Sequence, residues 1–471
     1  MKIFKSKSLL TYILSISASA IGISLNFVLA RFLGASQYGN IQYYIGLATT
    51  FSSFLIIGLN TFIIREAKNP KFNGQIMSKC FSLYLSILTF AVPILVFILK
   101  TMGIGNQSTL KIGSIIAVSF LIGADLLIAS YFQGIGKYYL SIIFETLLPK
   151  LLLLITSSVL IFVGLESAVI DYYLLFYIII YGAIFIPIFI KLFKGFDLKI
   201  EGKDFTSILF FFGVTITYSI GTNLTKVFQV ALYNNTVALA IISVSISIVS
   251  LARVFTSVID NIIQPKFAQS KRDNDYDSTL DLYRLDIRIN AYFAIPLYLF
   301  FALCSSKFLV IFGNSYLEYP LILTIISATY GFTCIFGPNG TMLAMIGKEK
   351  IEFINGFIYF GVYLMSVFIF SFSPVYGLSL SLLTSILAVN IVKFFEIWFI
   401  FKKNPLDFKT AISILLIAVI NAVPIYFINR IENFYLWLLV GIISGILLVA
   451  VNSLVISFYR IKDVKRLISL K

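Results

Sequence analysis

Charged side chains interrupt long apolar runs, among them Asp125, Lys150, Lys226, Arg253 and Asp260, with Arg31 at the end of another run. An ionised group in hydrocarbon costs several kcal/mol or more unless it is paired or faces a polar cavity. Arginine stays charged at any depth and its fork donates two parallel hydrogen bonds to a phosphate, while lysine offers a point charge. Arg253, with Lys226 and Arg31, therefore suits a pathway for an anionic cargo. The plainer readings are that Lys226 and Arg31 snorkel to an interface and that Arg253 pairs with Asp260 two turns away. Asp125 and Lys150 fall at similar depth in adjacent runs, which predicts a structural ion pair, with ion coupling as the alternative. Lys393 and Glu396 are spaced to pair along one helix face.

Other chemistry is excluded by residue type. The chain has no histidine and three cysteines, Cys80, Cys304 and Cys334, each isolated in an apolar setting. No metal site or disulfide framework follows from that set. No phosphate-binding glycine loop is present, so energy would come from a gradient, with H+ or Na+ as coupling ion and no other cofactor.

Small polar residues recur beside these charges at helical spacing. The first run carries Ser8, Tyr12, Ser15, Ser19, Gly22 and Asn26; the second carries Gln42, Gly46, Thr49, Ser53 and Asn60. The seventh carries Thr215, Tyr218, Thr222, Thr225 and Gln229; the eighth carries Ser243, Ser247, Ser250, Arg253, Ser257, Asp260 and Gln264. Such stripes glue transmembrane helices together or line a lumen. Two pairs of striped helices six spans apart point to parallel repeats facing each other across a polar lumen. Arg253 would lie roughly 24 Å along its helix from the outer end.

The elements that carry these residues are membrane spans. The chain is 59% hydrophobic and 12% charged, so apolar surface must face lipid. We read about fourteen spans: 9–30, 41–64, 77–99, 112–133, 141–163, 171–190, 206–230, 237–262, 289–310, 321–346, 353–371, 375–400, 408–428 and 434–459. The first has the basic flank of a signal peptide, but its apolar run is too long and lacks a clear cleavage site. With the N-terminus inside, alternation places 26 basic residues in inner segments against 5 in outer ones (Arg31, Lys100, Lys111, Lys307, Arg430). That asymmetry accounts for the net charge of +15 as membrane topology, with both termini cytoplasmic, and leaves no case for nucleic acid. The fold class is an all-α polytopic membrane protein. Its predicted parts are an N-terminal six-helix bundle (1–190), a basic linker (191–205), a second six-helix bundle (206–400), and a helix pair with a cytoplasmic tail (401–471). The longest loop, 264–288, contains a segment from Thr279 with helical alternation, which suits either a short amphipathic surface helix or a solvated loop. Pro149, Pro187 and Pro296 are candidate kinks.

Motifs at the span ends carry a resemblance. Arg31-Phe32-Leu33-Gly34, Tyr38-Gly39, Gly58-Leu59 and Arg65-Glu66 open it. Phe132-Gln133-Gly134-Ile135-Gly136-Lys137, Ile311-Phe312-Gly313-Asn314-Ser315-Tyr316, Leu343-Ala344-Met345-Ile346-Gly347-Lys348 and Pro374-Val375-Tyr376-Gly377-Leu378 continue it. Over nearly its whole length the chain resembles the polysaccharide transporter family, the O-antigen-type lipid-linked oligosaccharide flippases of the multidrug/oligosaccharidyl-lipid/polysaccharide (MOP) superfamily. Tyr233-Asn234-Asn235 departs from the Gly-Tyr-type turn of that pattern. The resemblance implies two bundles around a cationic cavity lined by spans 1, 2, 7 and 8, alternating access, and an undecaprenyl-pyrophosphate-linked glycan as cargo. It also implies membrane lipids and polysaccharide polymerase machinery as partners, in a bacterial inner membrane. The candidate contacts are Arg31, Lys226, Arg253, Asn26, Ser15, Ser19, Thr49, Ser53, Thr222, Gln229, Ser250 and Ser257. A drug/cation antiporter, which would favour lumenal carboxylates, and a peptidoglycan-precursor flippase are the alternatives. A membrane glycosyltransferase or polymerase is disfavoured because no outer loop is long enough to bear catalytic acids.

Overall fold

The structure is a computed structural model and describes residues 6–67, 69, 75–102, 109–199, 201–215, 221–272 and 275–455. Among them every regular element is helical. In chain order these are α1 (Ser6–Leu33), α2 (Ala35–Ile56), α3 (Leu59–Glu66), α4 (Ile76–Thr101), α5 (Thr109–Gly134), α6 (Tyr138–Ile142), α7 (Leu148–Phe162) and α8 (Glu166–Leu192). There follow α9 (Gly202–Thr215), α10 (Gly221–Ala231), α11 (Thr236–Arg272), α12 (Tyr276–Leu303), α13 (Ser305–Val310), α14 (Leu321–Phe336) and α15 (Asn339–Met345). The last are α16 (Glu349–Ile369), α17 (Gly377–Phe401), α18 (Phe408–Asn429) and α19 (Phe434–Val455). Among the described residues ten helices are long and apolar enough to cross a membrane, or twelve when two bent pairs each count as one span. The two other spans read from the sequence fall on α9 and α10, separated by residues outside the description, and on α19.

The bent pairs locate the breaks. α2 and α3 meet at 54° and α14 and α15 at 41°. Gly58 and Gly337, both at positive φ, make these bends. Gly58 is also wedged against α9, where a Cβ would sit 2.6 Å from the Ile208 carbonyl oxygen, so glycine serves both turn and close approach. The prolines behave differently. Pro187 and Pro296 lie inside uninterrupted helices. Pro149 opens α7 just after a π-helical segment, Ile143–Leu147.

Helices α1 to α8 form one lobe through the pairs α2 with α5, α1 with α7, α5 with α8 and α7 with α8. The second lobe is built on α12 with α14, α16 with α17 and α14 with α17, and α18 packs against α12. The segment following α8 is pinned to α4. Lys194 and Asp197 donate backbone N–H groups to Ser78 and Ser82, and Lys79 lies 3.7 Å from the Asp197 carboxylate.

The long inner loop expected at 264–288 is mostly helix. α11 runs on to Arg272, and α12 begins at Tyr276, capped by Asp275, whose Oδ1 accepts from the Ser278 N–H at 2.9 Å. Ile263, Phe267, Leu280, Tyr283 and Ile287 bury themselves between the two helices. The helical alternation seen from Thr279 is thus satisfied by packing on α11, as part of α12. The Tyr233-Asn234-Asn235 turn also has a local reason. Asn234 takes the left-handed conformation (φ 49°), which asparagine tolerates, and Asn235 Oδ1 caps α11 by accepting from the Ala238 N–H.

Candidate functional site

The striped helices meet. α2 packs on α10 and α11, and α1 packs on α2 and α11, so the lobes join through these four, and they meet again where Gly58 and α3 pack on α9. Antiparallel α1 and α2 are connected by Gly34 alone, at φ 78°, which brings the end of one stripe beside the start of the next.

Near this Gly34 end a chain of hydrogen bonds crosses all four helices. Asn26 Nδ2 donates to Ser247 Oγ at 2.9 Å. Asn26 Oδ1 accepts from Tyr38 Oη at 3.1 Å and from Gln42 Nε2 at 3.5 Å. Gln42 Oε1 in turn accepts from Lys226 Nζ at 3.2 Å. Toward the end of the bundle the lobes touch by backbone. A Cβ on Gly39 would sit 2.1 Å from the Thr236 carbonyl oxygen, and Ser36 Oγ lies 3.2 Å from Thr236 Oγ1. Tyr316 Oη donates to the Ala30 carbonyl at 3.1 Å, and Arg31 reaches Gly313. Phe27 and Phe312 meet edge to face.

Further along α11 the helix surface is less buried: Ser250 is half-buried and Leu251 and Arg253 are exposed. Arg253 lies roughly 9 Å along the helix from Ser247, and it is exposed while its neighbour Ala252 is buried. Its guanidinium stacks 5.3 Å from the ring centre of Tyr330 on α14, a cation–π contact that orients the fork. Because α1 runs antiparallel to α11, Ser19 and Ser15, both half-buried, fall at the level of Arg253 and beyond. The arrangement is a hydrogen-bonded seam between the lobes with Ser15, Ser19 and Arg253 further from the Gly34 end.

The other expected contacts divide. Ser15, Thr49, Ser53 and Ser250 each donate to a carbonyl three or four residues back in their own helix. Their oxygens still have lone pairs for a ligand's hydroxyls. Gln229 points into the second lobe, where Nε2 donates to the Pro374 carbonyl at 2.7 Å. The side chains of Thr222, Ser257 and Asp260, and with the last the expected Arg253–Asp260 pair, lie outside the described residues.

The expected pair of Asp125 with Lys150 is absent: no contact within 4 Å joins them among the described residues. Lys150 instead lies in the field of Glu145, and its ammonium end packs over Gly22 of α1. Glu145 also faces Asp125. The π-helical segment before α7 inserts extra residue per turn and rotates the following helix. Depth matching along a regular helix could not anticipate that. Lys393 likewise finds its carboxylate on a neighbouring helix. Its Nζ lies 2.5 Å from Glu352 Oε1, both groups fully buried, while Glu396 accepts from Asn355 Nδ2 at 2.7 Å. Gly340 leaves room for this pair, since a Cβ there would sit 2.5 Å from Glu352 Oε1.

Sequence reasoning left out three residues that matter here. Tyr38 was visible as a motif member, Glu145 as an acid beside an apolar run, and Glu352 as an acid in the first turn of a span. None carried a spacing signal to its partner.

Comparison with known proteins agrees with this geometry. The structure of lipid II flippase MurJ in an inward closed conformation superposes with a TM-score of 0.69 at 17% identity, covering 94% of this chain and 98% of that one. An inward-facing multidrug resistance MATE family transporter of the MOP superfamily gives 0.58 at 12% identity, covering 84% and 98%. A MOP superfamily transporter from Pyrococcus furiosus, described as having a binding pocket of reverse polarity, gives 0.57 at 13% identity, covering 84% and 95%. A search of curated proteins by sequence finds no match. The family described as polysaccharide biosynthesis protein matches residues 28–320. The chain therefore belongs to the polysaccharide biosynthesis protein family, built as a multi-pass membrane protein on the fold of MOP superfamily transporters.

Proposed function

We propose that the protein is a flippase that moves an undecaprenyl-pyrophosphate-linked oligosaccharide, an O-antigen or other surface-polysaccharide repeat unit, from the inner to the outer leaflet of the cytoplasmic membrane by alternating access. The observation that carries this reading is Arg253: an exposed arginine on α11, held over Tyr330 and roughly 9 Å along the helix from the Asn26–Ser247 bond that joins the lobes. A pyrophosphate crossing hydrocarbon needs its water replaced, and an arginine fork does so with directed donors. The hydroxyls of Ser15, Ser19, Thr49, Ser53 and Ser250 suit sugar hydroxyls, and the prenyl tail stays in lipid. By the charge asymmetry the Gly34 end faces outward and both termini face the cytoplasm.

The seam has a strength compatible with switching. Four bonds that join the lobes, Asn26–Ser247, Gln42–Lys226, Ser36–Thr236 and Tyr316–Ala30, contribute roughly 2–6 kcal/mol at about 0.5–1.5 kcal/mol each. A cargo with a thousandfold preference for one state supplies about 4 kcal/mol, which is enough to move such an equilibrium.

The test is complementation of surface-glycan display in a flippase-deficient strain, with protein levels measured in parallel. Arg253→Lys retains part of the display, Arg253→Ala loses most, and Arg253→Glu nearly all, at normal protein level. Full display by Arg253→Glu removes the residue from the cargo path. The likeness to the MurJ fold favours a second reading, flipping of a peptidoglycan precursor by the same mechanism. Rescue of a strain depleted of that flippase, with no effect on surface glycan, would select it. The buried Asp125, with the half-buried Glu145 facing it, favours a drug/cation antiporter, which uptake of a cationic dye driven by a proton or sodium gradient would reveal.

A further inference from the structure

A groove of about 730 Å³ lies on the first lobe, away from the four lumenal helices, between the end of α5, the α6–α7 region and the end of α8. Its wall is apolar, with Phe132, Phe144, Ile184 and Ile188 along it, and no acidic residue lines it. Two cations, Lys137 and Lys191, stand in its lining. Both are exposed, and neither forms an ion pair within 4 Å with a described residue. Lys191 lies in the last turn of α8 and Lys137 in the turn between α5 and α6, both at the end of the bundle that bears the basic loops, so the groove passes from the hydrocarbon region to the headgroup level.

We infer that this groove seats an anionic glycerophospholipid of the adjacent leaflet, with its phosphate between Lys137 and Lys191 and an acyl chain along the aromatic and aliphatic wall. Charge complementarity selects the occupant: a zwitterionic lipid would bring its own cation toward two lysines, and a peptide would leave backbone groups unpaired in the apolar wall. The position gives such a lipid a mechanical role. Phe144 belongs to the π-helical segment Ile143–Leu147, whose next residue, Glu145, faces the Lys150 that packs on α1. A lipid held against Phe144 braces that segment and, through Lys150, the lumenal helix.

The full-length protein, purified in detergent, is exposed to phosphatidylglycerol or phosphatidylcholine of matched chains, and retained lipid is counted by native mass spectrometry. Phosphatidylglycerol should be retained about thirtyfold better, the effect of two lysines close to a lipid phosphate. Lys137→Gln/Lys191→Gln should abolish the preference, and Ala183→Trp, which fills the groove from α8, should reduce retention of both lipids. Unchanged elution and unfolding temperature without lipid check that the variants fold. Equal retention of the two lipids by the wild type, or an undiminished preference in the double lysine variant, overturns the assignment. Displacement of bound phosphatidylglycerol by stoichiometric undecaprenyl phosphate also overturns it, because the groove would then belong to the cargo. Each of these results leaves the Arg253 experiment independent.

Discussion

Gly39→Ala is the substitution that tests the seam most directly. The added Cβ would meet the Thr236 carbonyl oxygen at 2.1 Å, whereas ordinary contact begins near 3.4 Å, so α2 and α11 must part by about 1.3 Å at their Gly34 ends. Both atoms are backbone-anchored and neither can rotate away. Overpacking of this kind costs about 1–3 kcal/mol, and here the cost falls only on the state in which α2 and α11 touch. The equilibrium should therefore move about 5- to 150-fold toward the state with this end open. The assay is disulfide trapping. Ser36 Oγ and Thr236 Oγ1 lie 3.2 Å apart, so Ser36→Cys/Thr236→Cys should cross-link readily under mild oxidation, and the three native cysteines are buried. Adding Gly39→Ala should lower the cross-linking rate by at least several-fold without lowering protein level. An unchanged rate would refute the idea that this contact closes the pathway; a fall in rate matched by loss of folded protein would mean that the contact is structural.

Removing the seam's polar centre should act in the same direction: Asn26→Leu should reduce glycan display and speed labelling of a cysteine at Ser36 from outside intact cells. Breaking the buried Lys393–Glu352 pair leaves one charge unpaired, so Lys393→Met or Glu352→Gln alone should cost about 3–5 kcal/mol and deplete folded protein, whereas Lys393→Met/Glu352→Leu should recover most of it; equal depletion in the double variant would argue against the pair. The acid at the start of α18 sets an acid limit. Partial burial pushes the Asp407 carboxyl up, but a hydrogen bond from Thr410 and the Arg288 guanidinium outweigh it and hold the pKa below the ordinary 3.8. A depressed folded value means that this stabilisation is present above pH 3.8 and lost as pH falls through the folded value, so the unfolding temperature should drop more steeply in acid for the wild type than for Asp407→Asn. Topology can be read from Asp277→Cys, an exposed position at the start of α12: labelling by an impermeant thiol reagent from outside intact cells would overturn the cytoplasmic placement of that end.

What the sequence determined by itself was the class of solvent and the faces of the helices. Apolar runs without a polar side require lipid, and the four stripes follow from the 3.6-residue period, which is a property of the backbone alone. Asn26, Gln42, Lys226, Ser247 and Arg253 could therefore be picked out before any fold was known. Which atoms they meet could not, because hydrogen bonds across lobes depend on how closely two backbones approach, and that was set by Gly39 against Thr236 and by the single-residue turn at Gly34. The ion pairs show the same division. Asp125 with Lys150 and Lys393 with Glu396 were matched by depth or spacing, yet Lys150 sits in the field of Glu145 and Lys393 is met by Glu352 of α16. A π-helical turn rotates one helix face, and packing of α16 on α17 supplies a nearer carboxylate. Local periodicity fixes which way a side chain leaves its own helix; only the tertiary arrangement decides what stands opposite it.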